Sequence, residues 1–128
     1  LFLFPIDEAI LISGTALAQI QKYAGHPSAS KIAVSLRYNL CLLLLKNGRY
    51  TETITRINEL IPAAKEAGSY RHLCVCYLRK GFALAKTGNP EGQLLIDQAF
   101  RLIEAADDQA FKANLENEYN LLEEAASS

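Results

Sequence analysis

Apolar residues recur at helical spacing along the whole chain and predict six helices joined by short loops. Apolar positions three and four residues apart are typical of a helix that packs on one side. The predicted stripes begin at Ile6, Ile32, Ile54, Leu73, Leu95 and Phe111. No stretch of several residues alternates strictly between apolar and polar positions, as a half-buried strand would. The pattern therefore predicts an all-α protein in which consecutive helices are antiparallel.

Glycine, proline and short polar residues set the predicted helix boundaries. The expected caps are Ser28 or Ser30 for a second helix that starts near Ala29, Ser69 for the fourth, Asn89 for the fifth, and Asp107 or Asp108 for the sixth. Gly25-His26-Pro27 should end the first helix and Asn47-Gly48 the second. Pro62 lies inside the third helical pattern, so a kink or a short second segment is expected there.

One helix–turn–helix pattern occurs twice. The stretch from Arg37 to Ile54 contains a helix, a glycine turn at Gly48 and the start of another helix, and the stretch from Tyr77 to Gln93 repeats it around Gly88. The two glycines are 88 − 48 = 40 positions apart. Repetition at a fixed period of a few tens of residues predicts an array of helix pairs.

Composition narrows the class of protein. The 128 residues are enough for one domain, taken as residues 1–128, and half of them are hydrophobic. The formal net charge of −1 argues against direct nucleic-acid binding by this segment, which needs a clustered basic surface. The longest apolar run, Leu40 to Leu45, is far shorter than a membrane span requires. We interpret Leu1–Phe4 as the end of a preceding helix, and the chain as a fragment of a longer, cytoplasmic protein.

Catalytic and metal chemistry have little support. Cys41, Cys74 and Cys76 all lie in apolar helical stretches, which favours buried, reduced thiols. His26 and His72 lie near helix ends, where surface or capping roles are the simplest interpretation. No Cys/His spacing suits zinc and no glycine-rich phosphate loop is present, so no cofactor, metal or catalytic residue is predicted.

The repeated stretches resemble the tetratricopeptide repeat. The matching features are a small residue in the first helix (Cys41, Gly81), the glycine between the helices (Gly48, Gly88), the aromatic Tyr50 and the late alanine Ala99. The period is longer than that family's usual unit, and Pro90, Thr53 and Leu60 depart from its pattern. Lengthened repeats of this kind are similar to the sensor domains of bacterial helix-turn-helix regulators that bind signalling peptides, the Rgg, PlcR and Rap group. The resemblance implies a short right-handed solenoid of antiparallel helix pairs with a concave face.

On that face the resemblance implies a ligand groove. Its candidate contacts are Tyr38, Asn39, Leu42 and Lys46 on the second helix, Arg79, Phe82 and Lys86 on the fourth, and Tyr119 on the sixth. An Asn amide pairs with a peptide bond, an Arg guanidinium holds a carboxylate, and aromatic rings form apolar pockets. The same positions also suit ordinary core residues and a solvated charged face.

The resulting hypothesis is a sensor domain of a transcriptional regulator. It would bind a short peptide or protein tail, form a homodimer, and act on a DNA-binding module upstream of Leu1. The alternative is a constitutive scaffold that holds the C-terminal tail of a protein partner through Arg79. An enzyme is the least favoured interpretation.

Overall fold

The computed structural model describes residues 5–22 and 27–127, which form six α-helices and no strand. The helices are α1 (Pro5–Gln21), α2 (Pro27–Lys46), α3 (Tyr50–Glu66), α4 (Tyr70–Lys86), α5 (Glu91–Ala106) and α6 (Gln109–Ser127). The all-α class and the helix number are thereby confirmed for the described residues. The expected preceding helix at residues 1–4 and the predicted stop at Gly25 and His26 lie outside them.

The turns after α2 and α4 have the same hydrogen bonds forty residues apart. The Gly48 amide donates to Leu45 and the Arg49 amide to Leu44, and Gly88 and Asn89 donate in the same way to Ala85 and Leu84. Gly48 and Gly88 have φ of 74° and 85°, a left-handed conformation that glycine adopts without steric cost. The turn after α3 has the same pair of bonds, from Gly68 to Lys65 and from Ser69 to Ala64, so this type of turn ends each of these three helices.

Three of the predicted caps form. The Ser69 hydroxyl accepts from the His72 amide at 3.3 Å, and Asp108 Oδ1 accepts from the Phe111 amide at 3.2 Å. Asn89 Oδ1 accepts from the Glu91 amide at 3.0 Å, although α5 begins one residue after Pro90. Asp107 instead ends α5 with a φ of 52°.

One predicted helix start is wrong, and one of the two alternatives predicted at Pro62 is excluded. Helix α2 begins at Pro27, so Ser28 and Ser30 lie inside its first turn and not before it. Proline is tolerated there because its missing N–H has no helical partner at that position. Helix α3 runs through Pro62 as one element, so the separate second segment does not form. Pro62 is exposed.

Each helix packs against the next along the chain, and α2, α4 and α6 also contact one another. One core cluster joins α2, α3 and α4 through Cys41, Ile57, Leu60 and Cys76. A second joins α4, α5 and α6, and a third joins α2, α4 and α6. No helix among the described residues has the length and apolar character needed to cross a membrane.

Candidate functional site

A groove of about 740 Å³ opens between the N-terminal half of α2, the C-terminal part of α3 and the N-terminal half of α4. Three of the eight predicted ligand contacts, Tyr38, Asn39 and Arg79, line this groove. The other lining residues are Ser30, Lys31, Val34, Ser35, Arg37, Leu60, Ala63, Ala64, Ala67, His72 and Val75. Its volume lies within the range of small-ligand sites.

Small residues on α3 keep the groove open. Ala63, Ala64 and Ala67 recur at helical spacing and face the groove along the last turns of α3. Alanine has no atoms beyond Cβ, so space remains opposite the larger side chains of α2. On α2, Val34 and Tyr38 are four residues apart and therefore share one face.

Tyr38 is held in place by both its ring and its hydroxyl. Its ring stacks on His72 with centroids 4.6 Å apart and planes inclined by 24°. Its hydroxyl lies 3.5 Å from the Cys76 sulfur. Burial raises the pKa of Tyr38, and the contact with Cys76 raises it further, so the phenol remains protonated at neutral pH. Tyr38 therefore offers the groove a fixed, uncharged aromatic wall.

Arg79 lies between the groove and α6. Its guanidinium donates through Nε to Glu118 Oε2 at 3.0 Å and through Nη2 to Glu118 Oε1 at 2.8 Å. A third bond runs from Nη1 to the Tyr38 carbonyl oxygen at 2.8 Å. Arg79 is 6% exposed. These bonds tie the backbone of α2 to α4 and α6 immediately beside the groove.

The five other predicted contacts lie toward the C-terminal ends of α2 and α4 or on α6. Leu42, Phe82 and Tyr119 pack together with the buried Leu45 and Leu122. Phe82 is only 1% exposed and meets the Tyr119 ring edge-on, with centroids 6.2 Å apart. Helix α6 covers this part of α2 and α4, so Phe82 does not line an open surface, while Leu42 and Tyr119 are half-buried. Lys86 lies over the Phe82 ring and pairs with Glu123 at 3.1 Å, whereas Lys46 is exposed at the end of α2.

Sequence reasoning missed much of the groove. It assigned His72 a surface or capping role, which agrees with the exposure of His72, but it did not indicate that the ring stacks on Tyr38. It also omitted Lys31, Val34 and the alanines of α3. The run Ala63, Ala64, Ala67 was a usable signal, because small residues repeated on one helix face mark either close helix packing or open space.

The thiols are unsuited to catalysis. All three cysteines are buried, and none of them forms a disulfide bond. The predicted free thiols are thereby confirmed. Burial raises the pKa of Cys41 and of Cys74 to about 11, and it also raises the pKa of Cys76. The reactive thiolate is therefore scarce at neutral pH. Within the described ranges no group of three His, Cys, Asp or Glu side chains is placed to hold a metal ion.

The groove is thus a partly apolar channel with a fixed aromatic wall, an exposed amide at Asn39 and basic side chains at its edge. Comparison of the chain with protein-family models, with curated proteins and with solved structures found no match.

Proposed function

We propose that this protein is a sensing or interaction domain that binds a short anionic peptide in the groove between α2, α3 and α4. The observation that carries the proposal is the lining of the groove. Its described residues combine apolar and aromatic side chains with the basic residues Lys31, Arg37 and Arg79, and none of them is acidic. Such a surface favours a ligand with a carboxylate and an apolar side chain.

The dimensions fit a peptide of a few residues. The groove follows α2 from Ser30 to Asn39, nine steps of about 1.5 Å, or about 14 Å. An extended chain covers about 3.4 Å per residue, so about four residues fit along it. Asn39 is exposed, and its side-chain amide supplies both a donor and an acceptor for a peptide bond.

The basic side chains of the groove differ in whether another residue already neutralises their charge. Arg79 already donates three hydrogen bonds to Glu118 and Tyr38, so its charge is offset by a carboxylate. Lys31 and Arg37 are exposed and form no ion pair with any residue in the described ranges. We therefore assign the ligand's carboxylate to Lys31 and Arg37, and we assign Arg79 the role of positioning Tyr38.

In the regulatory form of the proposal, the helix pairs stack as a short right-handed solenoid and peptide binding changes the packing of α6. The contact from Tyr38 through Arg79 to Glu118 supports this form, since it connects the groove wall to α6. A ligand shifts such an equilibrium only by binding the two states with different affinity. The output would be a DNA-binding module elsewhere in the protein, in a homodimer. The exposed apolar Leu11 and Ile12 of α1 are suited to the contact between subunits.

The scaffold form of the proposal has a different observation in its favour. Among the described residues, every buried side-chain nitrogen and oxygen has a hydrogen-bond partner. A fully satisfied polar network favours one rigid arrangement. In this form the groove holds a protein tail and α6 does not move.

Titration with a library of short peptides, each made with a free or an amidated C-terminus, tests the proposal. We expect the free-acid peptides to bind more tightly, and Lys31→Ala and Asn39→Ala to weaken binding about fivefold or more. Asn120→Ala, which changes an exposed amide on α6 away from the groove, is the matched control. Equal affinity of wild type, Lys31→Ala and Asn39→Ala for every peptide would disprove the site. Faster amide exchange in α6 on binding supports the regulatory form, and unchanged exchange supports the scaffold.

A further inference from the structure

A second cavity, of about 410 Å³, lies between α1, α2 and α3. Its apolar lining includes Leu17 of α1, Leu40 of α2 and Leu60 of α3. Arg37 and Arg56 also line it, from α2 and α3 respectively. The volume lies at the lower end of the range for small-ligand sites.

The charges around this cavity are not balanced. The guanidinium of neither Arg37 nor Arg56 forms an ion pair or a hydrogen bond with any residue of 5–22 or 27–127, whereas those of Arg49, Arg71 and Arg79 all do. Among the described lining residues Glu59 is the one acidic side chain, and it bonds to neither arginine. Two guanidinium groups against one carboxylate leave a net positive charge beside a cavity whose lining is partly apolar and partly polar. A guanidinium is well suited to bind a carboxylate through two parallel hydrogen bonds.

We propose that this cavity is a binding site for a small carboxylate with an apolar body, such as a medium-chain fatty acid. The apolar body would occupy the space between Leu17, Leu40 and Leu60, and the carboxylate would accept hydrogen bonds from Arg37 and Arg56. The two proposed sites share Arg37, so a carboxylate bound here would compete with a peptide carboxylate for that guanidinium. Arg37, Leu60 and Ala63 line both cavities, whereas Arg56 and Leu17 line only this one.

Decanoate tests the site, with decanol as its uncharged counterpart. We expect calorimetry below the micelle concentration to show saturable binding of one decanoate per chain. Arg56→Gln should weaken it about tenfold, which corresponds to the loss of a charge-assisted hydrogen bond, while Arg56→Lys, which keeps the charge but cannot form two parallel bonds, should cause a smaller loss. Decanol should bind at least tenfold more weakly than decanoate. Arg101→Gln, an exposed arginine of α5 remote from the cavity, should bind as wild type does.

Three results would overturn the proposal: no saturable binding of decanoate, equal affinity for decanoate and decanol, or unchanged affinity in both Arg56→Gln and Arg37→Gln. The two arginines are exposed, so these variants should fold, and circular dichroism checks that they do. Because Arg56 does not line the groove, Arg56→Gln should leave peptide binding unchanged. Failure of this site is thereby separated from failure of the peptide groove.

Discussion

Arg79 of α4 and Glu118 of α6 form a two-bond ion pair with N···O distances of 3.0 and 2.8 Å. The two residues are 39 positions apart, and their side chains are 8% and 18% exposed. Low exposure strengthens the attraction between them and also makes an unpaired partner costly. The pair thus fixes α6 against α4 at the wall of the groove.

Replacing Glu118 by Gln should lower the free energy of unfolding by about 2 kcal/mol. Glutamine keeps the shape of the side chain but leaves the guanidinium of Arg79 without a counter-charge in a largely buried position. Urea denaturation followed by circular dichroism measures the change. The control is Glu116→Gln on the same helix, where the carboxylate is 53% exposed and 4.0 Å from Lys112, and where a change below about 0.5 kcal/mol is expected. Equal effects of the two substitutions would show that the Arg79 pair adds nothing to stability.

Local signals in the sequence predicted the helices and several of their ends well. The turn at Gly48 and the caps at Ser69 and Asp108 depend on residues within a few positions of each other. Such features can therefore be predicted from a short stretch of sequence. The groove lining includes Tyr38, Asn39 and Arg79. These residues could be grouped from the sequence because a forty-residue period places α2 and α4 side by side.

What the sequence did not reveal was the partner that covers each helix face. An apolar position such as Phe82 suits a ligand pocket and a core equally well, because helical spacing shows only that the face is apolar. Phe82 is buried because Tyr119 and Leu122 reach it from α6, more than thirty residues further along the chain. Likewise, nothing in the local pattern indicates that Glu118 pairs with Arg79. Both contacts depend on how α6 packs across α2 and α4.

The close approach of α4 and α5 predicts that neither Gly81 nor Gly92 tolerates a methyl group. A Cβ at Gly81 would lie 2.6 Å from the Gly92 carbonyl oxygen, and one at Gly92 would lie 2.4 Å from the Gly81 carbonyl oxygen. Backbone atoms cannot move away as a flexible side chain does, so each Ala substitution should cost about 2–3 kcal/mol of stability. Thermal unfolding of the two variants measures this effect.

Gly14 of α1 is the matched control for those substitutions. A Cβ there meets no atom within 4 Å, and the residue is helical. Gly14→Ala should therefore stabilise the protein by about 0.5–1 kcal/mol, because alanine favours a helix more than glycine does. Stabilisation by Gly81→Ala or Gly92→Ala would contradict the close packing of α4 on α5.

Pro62→Ala should raise stability by about 1–3 kcal/mol. Proline lacks the N–H that would bond to the Asn58 carbonyl inside α3, and alanine restores that bond at an exposed position. Pro90 precedes the first residue of α5, where its missing N–H has no helical partner, so Pro90→Ala should lower stability slightly, by about 0.5 kcal/mol. Parallel urea titrations compare the two variants. A loss of stability in Pro62→Ala would mean that the fixed backbone angle of proline matters more to α3 than the missing bond.

The buried thiols predict a loss of stability at alkaline pH. Burial raises the pKa of Cys41 from 9.0 to about 11. Below about pH 9 the thiol is protonated in both the folded and the unfolded chain, and its protonation does not affect stability. Between pH 9 and 11 the unfolded chain loses a proton that the folded chain keeps. The free energy of unfolding should then fall by about 1.4 kcal/mol per pH unit for each such thiol.

The contribution of one thiol is measured as a difference in slope between wild type and Cys41→Ala. Lysine and tyrosine side chains also titrate in this range, but they are common to both proteins and cancel in the comparison. Cys41→Ala should show a shallower decline in stability from pH 9 to 11, whatever its stability at pH 7. Ile57→Val, beside Cys41 in the same core cluster, lowers stability without removing a thiol and should keep the wild-type slope. Equal slopes in wild type and Cys41→Ala would show that the folded protein exposes this thiol to solvent as readily as the unfolded chain does.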